Sequence, residues 1–254
     1  MRSLPPLDVH AHVDPAIAAH ELVALGAAVF AVTRSLDEAE TALMRTDTNT
    51  IWGVGCHPGL VGAQKGFSSE RFATLIRATP FVGEIGLDGK SRVPMETQVA
   101  TLRAVLRVLQ DQPRITTIHS YAATQQILDV LSEHKTRGAI LHWWLGTVEQ
   151  TTQAVELGCY FSINAAMCKR EELLQAIPLA RVLTETDHPF GDRPTRGEHR
   201  PGLVMPVETA LARLHGTSPQ MIRLQVWQNL RVLSGETSGG SLLPTTVRRH
   251  LAAI

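Results

Sequence analysis

Short apolar runs alternate with amphipathic stretches along the chain, and eight of the runs carry a β signature. Strands are predicted at Leu7–His10, Ala28–Thr33, Ile51–Gly55, Phe81–Ile85, Ile115–His119, Ala139–His142, Tyr160–Ile163 and Arg181–Thr184. Several are unbroken apolar runs, as expected of strands buried on both faces. Helical periodicity fills the intervals at Ala16–Leu25, Leu36–Met44, Ser69–Ala78, Pro94–Gln110, Ala123–His134 and Val148–Leu157, with a short stretch at Lys169–Ala176. Val204–His215 and Pro219–Leu233 follow the last strand. The punctuation agrees: Ser68 or Ser69 caps the third helix, Thr147 and Gln150 have capping-box spacing, Ser218 precedes Pro219, and Gly158 stops the sixth helix. Eight β units separated by helices predict an α/β fold of the (β/α)8 barrel type. A doubly wound open sheet is the runner-up, but the chain lacks the GxGxxG that marks such a sheet's switch point.

The barrel is expected to occupy residues 1–233 as one domain, with residues 234–254 as a C-terminal tail. Residues 56–67 and 188–203 are rich in Gly and Pro and follow predicted strands. Both therefore belong on the C-terminal rim, where barrel enzymes carry out their chemistry. The SGGS of the tail resembles a flexible link, and VRRHLAAI after it suits docking on the barrel or on a partner equally well.

The 254 residues carry 24 basic and 24 acidic side chains, so no global positive field draws in polyanions. Contact with nucleic acid then has to rest on local groups or on bound cations. Three cysteines, Cys56, Cys159 and Cys168, form no CxxC pair and read as reduced thiols. No signal peptide and no membrane span are expected, which points to a cytoplasmic protein. Gly89-Lys90-Ser91 has the ending of a phosphate loop, but the required glycine five residues earlier is Glu84.

The candidate chemistry lies at the ends of the strands. His10 and His12 sit in LDVHAH, Glu84 in FVGEIGLD, His119 in ITTIHS, His142 in GAILHWW and Asp187 in RVLTETD. Alternation puts His10 and His12 on one strand face, provided the strand extends that far. Taken singly, each has an ordinary explanation: a polar strand end, a satisfied core histidine, a Glu paired with Arg or Lys, a capping Asp. Six nitrogen and oxygen ligands at equivalent places point instead to one metal site, most simply a two-metal hydrolytic site with Glu84 between the ions. Such ions lower the pKa of bound water from about 15.7 to about 7. Asp187 is suited to orient or deprotonate that water.

These residues carry a resemblance to a known family. DVHAHVD at 8–14, GCHP at 55–58, VGEIGLD at 82–88, TIHS at 117–120, ILHWWLG at 140–146 and TETDHPF at 184–190 resemble, in order and spacing, the motifs of the TatD family of metal-dependent deoxyribonucleases. Gln98 and Asn229 also fall at family positions. The resemblance implies a (β/α)8 barrel with two divalent cations (Zn²⁺, Mn²⁺ or Mg²⁺), one held by His10, His12, Glu84 and Asp187 and the other by Glu84, His119 and His142. His57 resembles a substrate-side histidine, and Glu185 a residue that orients a ligand. Nucleic acid, DNA in the first instance, is the implied substrate. Trp143 and Trp144 depart from the family pattern: the rings suit base stacking, and at least one is expected to fill the gap between barrel and helix. VGCHPGLV, EIGLDGKS and LHWWLG are similar to TatD-like subunits of bacterial Qat antiviral operons, which implies a QueC-like protein and an ATPase as partners. Two alternatives stay open: hydrolysis of a small phosphoester, amide or cyclic bond, and a role as an interaction subunit.

Overall fold

The computed structural model describes residues 4–195 and 197–254. Eight strands run in parallel: β1 (Leu7–His12), β2 (Ala28–Val32), β3 (Thr50–Trp52), β4 (Phe81–Gly86), β5 (Ile115–His119), β6 (Ala139–His142), β7 (Tyr160–Ile163) and β8 (Val182–Thr184). They form two arcs in sequence order, β1 to β3 and β4 to β8. Val54 pairs with Val82 to join the arcs, and Cys56 N–H donates to the Glu84 carbonyl at 2.9 Å. At the other seam Asp187 N–H donates to the His10 carbonyl at 2.9 Å, His12 N–H to the His188 carbonyl at 3.0 Å, and the Thr184 hydroxyl to the Leu7 carbonyl at 2.5 Å. The ring is closed, and the fold is the (β/α)8 barrel anticipated from the hydrophobic pattern.

β3 is shorter than the predicted Ile51–Gly55 because the chain beyond it passes too close to its neighbours for a regular ladder. A Cβ added at Gly55 would lie 1.8 Å from the Thr33 carbonyl oxygen and 2.4 Å from Glu84 N. β1 is longer than predicted and carries His12 on the strand, with a register shift between Asp8 and Ala11. β8 starts one residue later than predicted, after a 3₁₀ turn at Leu179–Arg181.

Helices α1 (Ala19–Ala24), α2 (Leu36–Leu43), α3 (Val61–Lys65), α4 (Ser69–Leu75), α5 (Met95–Asp111), α6 (Thr124–His134), α7 (Val148–Glu156) and α8 (Glu171–Ala176) occupy the connections. α9 (Met205–Leu214) and α10 (Pro219–Gly235) follow β8. Ser68, Thr147 and Ser218 cap as their spacing indicates. The stretch 56–67 is not wholly irregular, since α3 lies in it, and Arg170 breaks the expected Lys169–Ala176 helix between a 3₁₀ turn and α8.

The SGGS segment is seated on the barrel. Arg114 Nη1 donates to the Ser238 hydroxyl at 2.7 Å, Ser238 N–H donates to the Pro113 carbonyl at 3.0 Å, and a Cβ on Gly239 would meet Pro80 Cα at 2.8 Å. The last helix, α11 (Thr245–Ala252), buries Val247 and Leu251, and the His250 ring packs 5.3 Å from Trp227. No helix among the described residues is long and apolar enough to cross a membrane.

Asp8 is the polar rivet of the β1–β8 seam. It is fully buried and accepts from Thr186 N at 2.9 Å, Thr186 Oγ1 at 2.6 Å, Gly202 N at 2.8 Å and His10 N at 3.3 Å. Burial pushes its carboxyl up to about 7, against the pull of these donors. Removing the carboxylate strands buried N–H groups at about 1–3 kcal/mol each. Asp8→Ala is expected to lower the unfolding free energy by about 3 kcal/mol or more, as read from denaturant midpoints; a loss below 1 kcal/mol would deny the seam this role.

The cysteines are free thiols. Burial pushes Cys56 and Cys159 up to about 12, and Cys168 to about 11. The thiolate is the reactive form and is populated only as pH rises towards these values. Folded protein at pH 8 is therefore expected to react slowly with a thiol reagent, with all three sites reacting promptly in denaturant. Rapid labelling of the folded protein would contradict this.

Candidate metal centre and active site

On β1, His10 and His12 reach the C-terminal mouth of the barrel, while the register shift between Asp8 and Ala11 leaves Asp8 turned to Thr186 and Gly202. Glu84 lies within β4 rather than at its end, 1% exposed, between Gly83 and Gly86. Both glycines are required by crowding: a Cβ on Gly83 would stand 2.3 Å from Thr117 Oγ1, and one on Gly86 2.1 Å from the His119 carbonyl oxygen. His119 and His142 close β5 and β6. Asp187 is not on β8; it lies in the loop beyond, with φ of 44°, its N–H held by His10.

All six candidates converge, and the two Glu84 oxygens face different groups. Oε1 lies 2.7 Å from His119 Nδ1 and 2.8 Å from His142 Nε2, and those two nitrogens are 3.2 Å apart. Oε2 lies 3.5 Å from His12 Nε2 and 3.9 Å from His10 Nε2. Asp187 Oδ1 stands 3.4 Å and 3.7 Å from the same two nitrogens. His57, from the loop after β3, points Nε2 at Glu84 Oε2 from 3.5 Å.

The donor set fits divalent cations. Separations of 3.4–3.9 Å are near the edge of about 3.4 Å spanned by ligands placed tetrahedrally about 2.1 Å from an ion. Both nitrogens of buried His10, Glu84 Oε2 and Asp187 Oδ1 are buried without a hydrogen-bond partner. Such groups are rare in folded proteins unless something else satisfies them. Among the described residues, three groupings have donors within 4.8 Å of one another: His10–His12–Asp187, His57–Glu84–His119 and His10–His142–Glu185. In the third, Glu185 is already engaged by Ser162 Oγ, by Asn164 Nδ2 at 2.9 Å and by Trp143 N–H at 3.1 Å. Its carboxylate is better placed to orient His142, whose Nδ1 is 3.8 Å away, than to hold an ion itself.

Burial, reinforced by nearby His142, holds His10 well below the ordinary histidine value, which favours the neutral ring with one nitrogen lone pair free. Burial opposes ionisation of Glu84, but the surrounding His57 and His142 hold its carboxyl well below the usual range. Burial likewise opposes charging of His142, yet Glu84 and Glu185 on its two sides carry it well above the usual value. For His12 the same opposition is overcome by Asp187 and Glu84, and its value is raised. His57 is lowered, chiefly by burial. Glu185 is raised by burial.

A cavity of about 620 Å³ opens above these groups. His12, His57, Glu84, His119, His142 and Asp187 form its floor. Several wall residues had no role in the sequence reading: Tyr121, Phe190, Arg193, and Asp88, whose Oδ2 is 4.0 Å from His119 Nε2. Asp88 stands in the recognisable GLD segment and was legible there; the others sit in loops without a periodic pattern. Gln98 is structural, bonding Asp88 N–H and the Val93 carbonyl. Asn229 is structural too, donating to the Leu179 and Val182 carbonyls.

A buried carboxylate ringed by histidines at the C-terminal mouth of a (β/α)8 barrel defines a metal-dependent hydrolase. The family model described as TatD related DNase matches residues 7–235, and the chain belongs to that family. A Klebsiella pneumoniae protein named 3'-5' ssDNA/RNA exonuclease TatD is 27% identical over 220 residues, which is 79% of this chain and 84% of that protein. A Bacillus subtilis protein named as the uncharacterized metal-dependent hydrolase YabD is 28% identical over 143 residues, 52% of this chain and 56% of its own length. The fold is similar to that of the YjjV TatD homologue from Escherichia coli K12, with a TM-score of 0.79 at 23% identity, covering 89% of this chain and 96% of that one.

Partners that orient metal-binding histidines typically contribute 10–100-fold in metal affinity or activity, an effect of about 1–3 kcal/mol. Glu185→Gln is expected to weaken binding of Zn²⁺ or Mn²⁺ by about 10–100-fold with the circular dichroism unchanged. Titration with unaltered affinity would remove Glu185 from this role.

Proposed function

We propose that the chain hydrolyses phosphodiester bonds of nucleic acid strands, single-stranded DNA first among them, at a site that holds two divalent cations. The observation that carries this reading is the division of Glu84, one oxygen towards His119 and His142 and the other towards His10 and His12. His10, His12, Glu84 and Asp187 would hold one ion, and Glu84, His119 and His142 the other. When bound, such cations supply Lewis acidity that eases loss of a water proton and draws charge from a phosphoryl oxygen. Asp187, on the cavity floor, accepts the water proton. His57 meets the phosphate from the β3 loop, its low proton affinity leaving it a neutral hydrogen-bonding group. Glu185 keeps the His142 ring aimed at Glu84. The exonuclease name of the Klebsiella relative supports the substrate class. The similarity of the rim motifs to Qat subunits extends the proposal to an antiviral assembly with a QueC-like protein and an ATPase.

The test is cleavage of end-labelled single-stranded DNA, double-stranded DNA and RNA by protein reconstituted with Zn²⁺, Mn²⁺ or Mg²⁺, with bound metal counted in parallel. Glu84→Gln is expected to lose metal and at least about 100-fold in activity, more than loss of an orienting partner would cause. Full activity in that variant would defeat the mechanism, and turnover of small phosphoesters or amides without strand cutting would favour the small-substrate reading.

A further inference from the structure

The two adjacent tryptophans of the β6 loop have opposite fates. Trp144 is fully buried, its Nε1 donating to Thr151 Oγ1 at 2.9 Å and its ring packed on Phe161. It fills the gap between barrel and helix. Trp143 directly follows His142, has φ of 40°, and lines the cavity. A left-handed backbone is unfavourable for so bulky a residue and persists only where its surroundings enforce it. Here the Glu185 carboxylate enforces it by accepting the Trp143 N–H. The same carboxylate thus faces His142 and turns the next residue into the cavity.

Two further aromatic side chains border that cavity and remain largely exposed, Tyr121 at 51% and Phe190 at 45%. Phe190 stands edge-on to His12 with ring centroids 5.4 Å apart, and the Arg193 guanidinium lies 5.2 Å from its centroid. Arg34 adds a second cation to the wall, its side chain 53% exposed. Apart from the candidate ligands, His57 and the two arginines, the polar groups on the wall that could read a base edge are few, chiefly Asp88, Ser120 and the Tyr121 hydroxyl.

We infer that this cavity is a pocket for one unpaired nucleobase at or beside the cleaved bond, with Trp143 as its stacking platform. The inference rests on the phosphodiester reading and adds how the strand is recognised. Aromatic faces at the wall, arginines at the rim and a phosphate-directed floor suit a nucleotide in a single arrangement: base on Trp143, backbone anion near Arg34 or Arg193. The volume of about 620 Å³ lies within the range of about 300–1,000 Å³ usual for small-ligand sites. It takes a base withdrawn from its partner, not a paired segment. Recognition by stacking is tolerant of sequence, because every base presents a π face. The held backbone of Trp143 keeps the platform in place before the strand arrives, so little ordering is left to oppose binding.

The test compares single strands that carry ordinary bases throughout with strands that are abasic at the terminal positions of both ends. Wild-type protein is expected to show a KM at least about tenfold higher for the abasic strands, in line with stacking on one aromatic group. Trp143→Ala should bring the two KM values together, and Trp143→Phe, which keeps an aromatic face, should restore the difference. Equal KM values in the wild type, or a difference that survives Trp143→Ala, would overturn the inference. A binding readout separates this from the hydrolytic proposal: dAMP is expected to quench indole fluorescence in the wild type, 2-deoxyribose 5-phosphate not to, and Trp143→Phe to lose the response while Trp52, Trp144 and Trp227 remain. Quenching without strand cutting would leave the pocket and remove the nuclease. Cutting with no quenching and no abasic effect would do the reverse.

Discussion

Everything at the mouth of this barrel follows from one carboxylate that cannot be buried alone. Glu84 is almost without solvent, and an ionised group so placed needs opposite charge or strong donors to repay its lost hydration. Its neighbours are imidazoles, groups that answer either with a proton or with a lone pair for a cation. Glu84 and Glu185 raise the proton affinity of His142, and Asp187 and Glu84 that of His12. A cation at this place would offer a charge that all the donors can share. Glycines at 83 and 86 let β5 and β2 approach closely enough for the ring of histidines to close on it.

The barrel was legible because strands buried on both faces write themselves as apolar runs, and because each helix cap that mattered has a local chemical signature. β5, β6 and β7 fall where the sequence puts them. Misplaced ends occur where tertiary contact overrides local pattern: the crowding at Gly55 cuts β3 short, and β1 runs on to His12 because its ladder with β2 continues to Val32. The six candidate ligands were readable as polar residues at the ends of those runs, although Glu84 lies within its strand and Asp187 in the loop beyond. The SGGS segment was misleading, since composition describes a free chain and cannot register that Arg114 and Pro113 wait to bind it. Tyr121, Phe190 and Arg193 lie in loops, where neither periodicity nor spacing says which way a side chain turns.

Glu185 shows how one buried acid serves several ends. Its oxygens take Ser162, Asn164 and the Trp143 N–H, face His142, and lie two residues from Asp187. β6, β7 and the β8 loop therefore meet at a single side chain. The left-handed turns at Trp143 and Asp187 flank this meeting point, and strain of this kind is commonly concentrated where geometry has to be fixed before a ligand binds.

The closing seam carries a consequence for when the protein becomes an enzyme. His10 and His12 stand near the start of the chain and Asp187 more than 170 positions later, held together by reciprocal backbone bonds between β1 and the loop after β8. On a lengthening chain these two histidines come first and wait for more than 170 further residues before Asp187 can reach them. The candidate metal groups are therefore assembled only when the backbone bonds of this seam close the ring.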